Sequence, residues 1–470
     1  MSILSSILAS RSGLMANSLR AEIVSNNIAN AQDENYSRRS VQVASGLGGG
    51  VQVTGIARAM DSSLDALFRT ELSFAATQNA MADVLGIYTA QLGALDSETS
   101  IPSLLSALQN DIGLMSNDPG DTSLQQEVLL SAKALAHSLR EANSALFQVS
   151  KSAYNGINSD IQTANAAMTE IARINSDIVR AVPGSPTYAT LQDRRAEQLD
   201  TLASVMQIQV SYDSENRIAV HAAGGHTLVK AGYVNELSFD RGTGVLTAGG
   251  EDITPGSSGR RGANEGSLAG YIKIATEIVP QSQLELDEVA RSLIEGFEDA
   301  DASLAPGQAG LFTDAGSALG ATFGVGLAGR ITVNTAADPY QGGDLTLLRD
   351  GLGAVTPGAA SDNSQILSWL AFFDSEVSYD PAAGQGSSAK IIDFTNGIFS
   401  AQQARRVAAE TSLNSLTASS EIYRANRLNA RGVNIDTELQ DLQLIEQAYN
   451  ANSQALRVAS EMIDTLLNIT

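Results

Sequence analysis

The 470-residue chain contains no cysteine. That absence excludes disulfide bonds, metal sites with thiolate ligands and a cysteine nucleophile. Aromatic residues make up only 5% of the chain and proline occurs 10 times, so large core side chains are few and long helices can run without interruption. This composition suits an extended helical protein, held together by packing or by assembly, better than it suits a compact enzyme.

Basic residues are also scarce, because 29 Lys and Arg stand against 52 Asp and Glu, and the formal net charge is −23. Nucleic acids and anionic membrane surfaces attract basic patches, so neither is expected as a partner. No apolar run approaches the roughly 18 residues of a membrane-spanning helix. Residues 1–19 lack a basic start followed by a solid apolar block, so no cleavable signal peptide is expected.

Residues suited to catalysis or metal binding are equally few. His221 and His226 flank a predicted hairpin tip without a third ligand nearby. Residues 324–329 match the pattern G-x-G-x-x-G, but a predicted strand follows them where a dinucleotide site requires a helix. We therefore predict no catalytic residue, no metal site and no cofactor.

The middle of the first half predicts a long rod. No proline occurs between Pro119 and Pro183, and apolar residues recur there at intervals of three and four. One uninterrupted helix of this length would span roughly 80 Å at the usual rise per residue. Two stacked helices are the alternative if Gly156 interrupts the pattern.

The C-terminal region carries the clearest repeat. One row of residues is spaced by seven, and a second row follows three positions later: Ile435, Leu442, Tyr449, Leu456 and Ile463, then Ile445, Asn452, Ala459 and Leu466. This heptad pattern predicts a coiled-coil helix that needs a partner. Glu438 occupies the second row in the first heptad, so the seam is expected to weaken at its start.

The N-terminal helix is the nearest candidate partner for that seam. Its apolar residues Leu4, Leu8, Met15, Leu19 and Ile23 share one helical face. The apolar pattern stops at the polar residues 25–30, where an Asn-rich segment usually ends a helix.

Alternating apolar residues predict β-structure in two places. A small hairpin is expected around residues 41–53, and a β-rich insert is expected over residues 205–265. Residues 305–360 are rich in loop-forming residues, with one short strand at 331–333. Helical spacing resumes at Leu268 and dominates residues 391–434.

These patterns predict an α+β fold that is mostly α. Both chain ends would form a long helical bundle or coiled-coil shaft, and a β-rich outer domain would be inserted between them. The expected domains are a terminal coiled-coil domain, a helical shaft with a loop-rich stretch at 305–390, and the β-rich outer domain. The terminal domain would contain residues 1–55 and 432–470, and the shaft would contain residues 56–204 and 266–431. The outer domain would contain residues 205–265.

Two terminal segments resemble a known family. Residues 25–30, Ser-Asn-Asn-Ile-Ala-Asn, followed by Tyr36-Ser37-Arg38, resemble the N-terminal signature of bacterial flagellar rod, hook and hook-associated proteins. Residues 432–436 and 447–452 resemble the matching C-terminal signature, and residues 462–469 are similar to its usual ending. Residues 33–35, Asp-Glu-Asn, depart from the family's usual Thr-Pro-Gly type of turn.

Internal segments resemble the members that join the hook to the filament. These segments are residues 192–200, which run into the strand at 208–210, together with residues 331–334, 338–339 and 348–351. The segment Tyr36-Ser37-Arg38-Arg39 also resembles these junction members more than it resembles hook proteins. The resemblance covers most of the chain and is weakest over residues 211–265 and 352–390.

The resemblance implies a non-enzymatic structural component of the flagellum that forms the hook–filament junction by axial self-assembly of its terminal helices. Implied partners are further copies in a ring, hook protein, the next hook-associated junction protein on the filament side, the export apparatus, and an export chaperone at the C-terminal helix. The implied location is extracellular, in the flagellum, after export without a cleaved signal peptide. The implied assembly interface contains Leu4, Leu8, Met15, Leu19, Ile23, Asn26, Asn27, Ile28, Asn30, Tyr36, Leu442, Ile445, Tyr449, Asn452, Leu456, Ile463 and Leu466.

Three alternatives stay open from the sequence. A hook or distal-rod protein would share the same terminal signatures. An extracellular coiled-coil adhesin would share the heptads alone. An enzyme carried on such a scaffold would need a convergent polar site within residues 205–390, where the sequence shows none.

Overall fold

A computed structural model of the chain describes residues 3–46, 49–93, 97–256, 262–320 and 324–468. The α-helices in these ranges are α1 (Ile3–Ala29), α2 (Ser62–Leu92), α3 (Ile101–Met115), α4 (Thr122–Arg180), α5 (Pro186–Val205), α6 (Ser267–Lys273), α7 (Val279–Asp299), α8 (Leu347–Asp350), α9 (Ser364–Asp374), α10 (Ile391–Arg431) and α11 (Ile435–Asn468). A π-helical turn, Ile274–Ile278, joins α6 to α7.

The strands are short and all of their pairings are antiparallel. They are β1 (Arg39–Ser45), β2 (Val51–Arg58), β3 (Ile208–Tyr212), β4 (Ile218–Ala222), β5 (Thr227–Lys230), β6 (Tyr233–Val234), β7 (Leu237–Asp240), β8 (Val245–Ala248), β9 (Glu251–Asp252), β10 (Phe312–Asp314), β11 (Ile331–Val333), β12 (Val377–Ser378) and β13 (Ser388–Ala389). The predicted fold class, mostly helical with a β-rich insert, is confirmed.

Helix α4 is continuous over 59 residues, so the single long helix is the correct alternative. Gly156 does not interrupt it. A Cβ atom at Gly156 would lie 2.6 Å from Cε2 of Tyr271, so the glycine permits close packing of an aromatic ring against the helix. The glycine therefore serves packing, whereas the sequence suggested a break.

The chain divides into two compact units. Unit 1 contains residues 1–77, 158–269 and 414–470, and unit 2 contains residues 78–157 and 270–413. The β-rich segment at 205–265 thus belongs to the same unit as both chain ends. This division differs from the three domains expected from the sequence, which stay a prediction.

In unit 1, strands β3 to β6 form one four-stranded sheet and β7 to β9 form a three-stranded sheet. Asn175 of α4 ties the first sheet to the helix, because its side chain accepts from the Ile218 amide at 3.0 Å and donates to the carbonyl oxygens of Ile218 and Ala231 at 2.9 and 3.1 Å. The predicted β-rich insert and the hairpin of β1 and β2 are both confirmed.

Unit 2 has an aromatic core. The ring of Phe297 on α7 lies 5.2 Å from that of Phe312, 5.3 Å from Trp369 and 5.7 Å from Phe372, measured between centroids. Strand β10, which contains Phe312, pairs with β11 and was not expected from the sequence. Strand β11 is equally short, but its residues Ile-Thr-Val are all β-branched, whereas β10, Phe-Thr-Asp, ends in a residue that is depleted in strands. Only the pairing therefore reveals β10.

Candidate assembly site at the terminal helices

Helices α1 and α11 of unit 1 pack side by side in antiparallel orientation. Asn27 near the end of α1 donates from Nδ2 to Oε2 of Glu438 near the start of α11, at 2.9 Å. Gly13 lies opposite Asn452, since a Cβ atom on Gly13 would be 2.8 Å from its Nδ2. Both helices advance by 14 residues between these two contacts, which equals two heptads. The prediction that the N-terminal helix covers the C-terminal seam is confirmed.

Most of the predicted heptad positions of α11 do face its partner. Ala459 is buried, and a further group of seam residues is half-buried: Leu442, Ile445, Asn452, Leu456 and Ile463. Ile435, Tyr449 and Leu466 remain exposed. The seam is therefore partly covered, and exposed apolar side chains remain at both of its ends and, at Tyr449, in its middle.

The face of α1 that packs against α11 is not the predicted one. Leu4, Leu8 and Met15 are 64%, 51% and 61% exposed, and of the predicted row only Ile23 is buried. The buried residues of α1 are mostly small or polar: Ser10, Gly13, Ala16, Asn17, Ile23, Val24 and Asn27. Small side chains let two helices approach closely, so the larger apolar residues are left on the other side.

Helix α1 continues through the polar segment where the sequence predicted its end. The reason is Asn27, whose side chain is fully buried and does not cap the helix. Its Nδ2 donates to the Arg39 carbonyl oxygen and to Glu438, both at 2.9 Å. Its Oδ1 accepts from the Tyr36 hydroxyl at 2.8 Å and from the Arg39 amide at 3.1 Å. These bonds use the full hydrogen-bonding capacity of the amide group.

Glu438 strengthens the start of the seam, contrary to the prediction that it would weaken it. The side chain is fully buried, and its second oxygen accepts from Nε of Arg38 at 2.5 Å. The same guanidinium also reaches Asp441, at 3.2 Å. A buried carboxylate is tolerated when it is ion-paired and hydrogen-bonded, and this one has both kinds of partner.

Tyr36 completes the group that joins the two helices. Burial raises the pKa of its hydroxyl, which therefore stays protonated and can donate to Asn27. The Arg39 guanidinium lies 4.7 Å from the centre of the Tyr36 ring. The name polar lock is used below for Asn27, Tyr36, Arg38 and Glu438.

The structure brings only some of the predicted asparagines into this lock. Asn26 and Asn30 are exposed, and Asn30 donates from Nδ2 to the Asn26 carbonyl oxygen at 2.8 Å. Ile28 is half-buried. Arg38 and Glu438 were missed as site residues. The heptad position of Glu438 was a usable signal, but nothing local indicated that a residue 411 positions away would bind it.

Exposed apolar residues accompany the lock on both helices. On α1 they are Leu4, Leu8 and Met15, and on α11 they include Leu439, Leu444, Tyr449, Val458, Met462, Leu466 and Leu467. A single exposed leucine needs no explanation, but several on each of two adjacent helices make this surface a candidate for contact with other chains. These residues are called the apolar stripe below.

The glycine-rich segment 324–329 has no free phosphate cradle. Its amides at Gly326 and Ala328 donate to the two carboxylate oxygens of Asp287, at 2.7 and 2.8 Å. Strand β11 follows, as predicted. Burial raises the pKa of Asp287.

Neither a metal cluster nor a membrane span is found in the ranges that the structure describes. No group of three or more His, Asp or Glu side chains there is arranged to hold a metal ion. Among the helices described above, none is both long enough and apolar enough to cross a bilayer.

Comparison with known protein families gives three matches along the chain. The helical domain of flagellar hook-associated protein FlgK matches residues 91–308. The C-terminal domain of flagellar basal body rod FlgEFG proteins matches residues 424–469, and the flagella basal body rod protein domain matches residues 7–36. The last two matches cover most of α11 and α1.

Two relatives are similar over nearly their whole length. Flagellar hook-associated protein 1 of Bacillus subtilis is 22% identical over 512 residues, which cover 97% of this chain and 96% of that protein. Flagellar hook-associated protein 1 of Salmonella typhimurium is 22% identical over 550 residues, covering 97% and 98%. The solved structure of the flagellar hook junction protein FlgK from Burkholderia pseudomallei is 18% identical, with a TM-score of 0.44, over 53% of this chain and 46% of that chain.

Proposed function

Since this chain belongs to the flagellar hook-associated protein 1 family and has a structural role at the hook–filament junction, we propose that its α1–α11 pair is the surface through which it assembles. The observation that carries this proposal is the apolar stripe. Helices that pair largely through small and polar residues, and leave several leucines in solvent, are suited to bury those leucines against neighbouring subunits.

The polar lock and the apolar stripe have separate tasks in this proposal. The lock holds α1 against α11, so that both helices present one continuous surface. The stripe supplies the apolar area that neighbouring copies cover, together with the other predicted interface residues on these helices. Burying one leucine side chain contributes about 2 kcal/mol, so a few per subunit suffice for a stable contact once they repeat around a ring.

The partners follow from the same role. Further copies in a ring, hook protein on one side and the next hook-associated junction protein on the other would contact the terminal helices. The export apparatus and an export chaperone at α11 would handle the chain before assembly. The protein would act outside the cell as part of the flagellum, as a structural subunit without enzymatic activity.

The direct test places a charge in the stripe. Leu8→Asp and Leu466→Asp change side chains that are 51% and 56% exposed, so the isolated protein should keep its helix content and melting temperature. In an assembled junction each aspartate would be buried without a partner, which costs several kcal/mol. We expect cells that produce either variant to show hooks without attached filaments in electron micrographs.

Val355→Asp is the matched control, because Val355 is 96% exposed but lies in unit 2, away from α1 and α11 in sequence. Cells with this variant should carry normal filaments. Normal filaments with Leu8→Asp and Leu466→Asp as well would contradict the proposed surface.

A hook or distal-rod protein is the second candidate, because the terminal matches are to rod-protein domains. Deletion of the gene separates the two roles. A junction protein predicts complete hooks and filament protein shed into the medium. Cells without hooks would instead favour the hook or rod role.

A further inference from the structure

Unit 1 buries an unusual concentration of arginine for a chain with a net charge of −23. Six arginine side chains, all about nine-tenths buried or more, lie where β1, β2, α2, α5 and α10 contribute to this unit: Arg39, Arg58, Arg69, Arg195, Arg427 and Arg431. Arginine is rarely buried without a partner, so each of these side chains needs an acceptor.

Three aspartates, of which Asp65 and Asp193 are buried and Asp200 is half-buried, pair with four of these arginines. Asp193 accepts from Arg39 and Arg58, at 2.8 and 2.6 Å. Asp200 accepts from Arg69 and Arg427, at 2.7 and 2.6 Å. The third is Asp65, which accepts from Arg427 at 2.5 Å.

Arg195 and Arg431 donate to backbone carbonyl oxygens. The acceptors are Asn216, at 2.7 Å from Arg195, and Glu34, at 2.6 Å from Arg431. Within the described part of the chain, neither of these arginines forms an ion pair. The cluster therefore holds six guanidinium groups and three bonded carboxylates, so positive charge is left uncompensated.

Four of these side chains also keep buried N–H groups without an acceptor among the described residues. The groups are Nε of Arg39, Nη2 of Arg58, Nη2 of Arg427 and Nε of Arg431. Backbone hydrogen bonds bring Arg58, Arg427 and Arg431 together. The Arg431 carbonyl oxygen accepts from the Arg38 amide, and the Arg38 carbonyl oxygen accepts from the amide of Ala59, next to Arg58, both at 2.8 Å. Arg427 lies one helical turn before Arg431 on α10. Burial and the like charges of Arg427 and Arg58 accordingly lower the pKa of Arg431. A buried donor that has lost water and gained no acceptor destabilises a fold by about 1–3 kcal/mol, and more when it is charged.

We propose that Arg58, Arg427 and Arg431 bind a small inorganic anion inside unit 1. An anion would supply both the missing negative charge and the missing acceptors. Guanidinium groups present N–H donors in a planar fork that matches the oxygens of sulfate or phosphate, and a chloride ion can accept from the same donors. The burial of all three side chains favours a small ion over an acidic side chain from a second chain.

Thermal unfolding of the full chain tests the site. The protein is melted in sodium chloride, sodium sulfate or sodium phosphate, each against a bulky organic anion at matched ionic strength. At ten times its dissociation constant, the bound anion should raise the melting temperature by about 3 °C. The comparison of chloride with the two oxyanions identifies the type of ion.

Arg431→Gln is the informative variant, and Arg424→Gln is its control on the same helix. Arg424 is an exposed residue with surface ion pairs to Glu421 and Glu34, so its replacement should leave the anion response intact. Arg431→Gln should lose the specific rise and retain only the general stabilisation that sulfate and phosphate exert by exclusion from protein surfaces. Equal responses of the two variants would overturn the proposal.

Crystallography of the unmodified chain gives an independent readout. Crystals grown with bromide or selenate should show an anomalous peak within hydrogen-bonding distance of at least two of the three arginines. Ordered water in that place would overturn the proposal, and so would stabilisation that depends on protein concentration but not on the anion.

Discussion

The two units of this protein use their apolar residues in opposite ways. In unit 2, Phe297, Phe312 and Trp369 are fully buried and pack ring against ring. In the terminal helices of unit 1, Gly13 and Asn27 are buried while Leu8 and other leucines are exposed. Unit 2 completes its core with its own side chains, whereas the terminal pair is joined by polar and small residues.

This difference concerns how much of its stability each region obtains from its own side chains. A core of aromatic rings stabilises a unit by itself, since each large ring buries about 150–250 Å². A helix pair with a polar interface gains less from its own contact. Its stability depends on hydrogen bonds whose removal leaves buried groups unsatisfied. Its exposed apolar surface is the part that the proposed assembly would cover.

The largest expected effect breaks the aromatic core of unit 2. Phe297→Ala should lower the free energy of unfolding by about 3–5 kcal/mol, because it removes a ring that four aromatic neighbours surround. Trp369 is the single tryptophan and lies 5.3 Å from that ring, so its fluorescence during urea unfolding reports on this unit. Phe147→Ala is the control: it removes a ring that is 67% exposed and should change the free energy of unfolding by less than about 0.5 kcal/mol.

A smaller effect is expected in the polar lock. Glu438→Ala should lower the free energy of local unfolding of the α1–α11 pair by about 2 kcal/mol, because it leaves a buried donor of Asn27 unsatisfied and removes the ion pair of Arg38. Amide hydrogen exchange in α1 and α11, followed by mass spectrometry, should accelerate roughly 30-fold. Asp441→Ala, which removes the outer partner of Arg38, should change exchange little, since exposed ion pairs contribute about 0–1 kcal/mol. Equal acceleration in both variants would show that the lock does not depend on burial.

The smallest effect concerns pH. Burial raises the pKa of Asp160 on α4 from 3.8 to about 6, although the Ser267 hydroxyl donates to it at 2.5 Å. The folded state therefore binds this proton more tightly than the unfolded state, and stability falls as pH rises from about 4 through 6. Asp160→Asn should stabilise the protein at pH 7 by at most about 1 kcal/mol, after allowance for solvent screening at this half-buried group.

Urea unfolding of parent and variant at pH 4 and pH 7 measures this difference directly. The free energy of unfolding of Asp160→Asn should exceed that of the parent at pH 7. It should equal that of the parent at pH 4, where the parent carboxyl is protonated in the folded state. An advantage of the same size at both pH values would mean that the carboxyl titrates normally.

The spacing of residues along the chain correctly predicted helices and strands whose formation depends mainly on their own residues. The heptads predicted α11, the proline-free run predicted α4, and alternation predicted β-structure where β3, β4, β7 and β8 lie. The same rule failed for α1. Hydrophobic spacing identifies the apolar face of a helix, but it does not say whether that face is buried within the chain or left for a neighbour.

The candidate site was predicted in part. Asn27 and Tyr36 were named from the resemblance, and they do lie in the lock. The heptad pattern predicts that Glu438 weakens the seam, because a carboxylate among apolar residues is normally costly. Arg38 removes that cost by an ion pair across 400 positions of sequence, which no local pattern contains.

The sequence by itself determined the helices, the strands, the absence of cysteine chemistry and the family signatures at both ends, because each depends on residues that are close together along the chain. Only the tertiary structure decided which face of α1 meets α11, that Glu438 is paired, and that four arginines share three aspartates in unit 1. Those outcomes depend on side chains that meet only after folding, where burial and charge act between residues far apart in sequence.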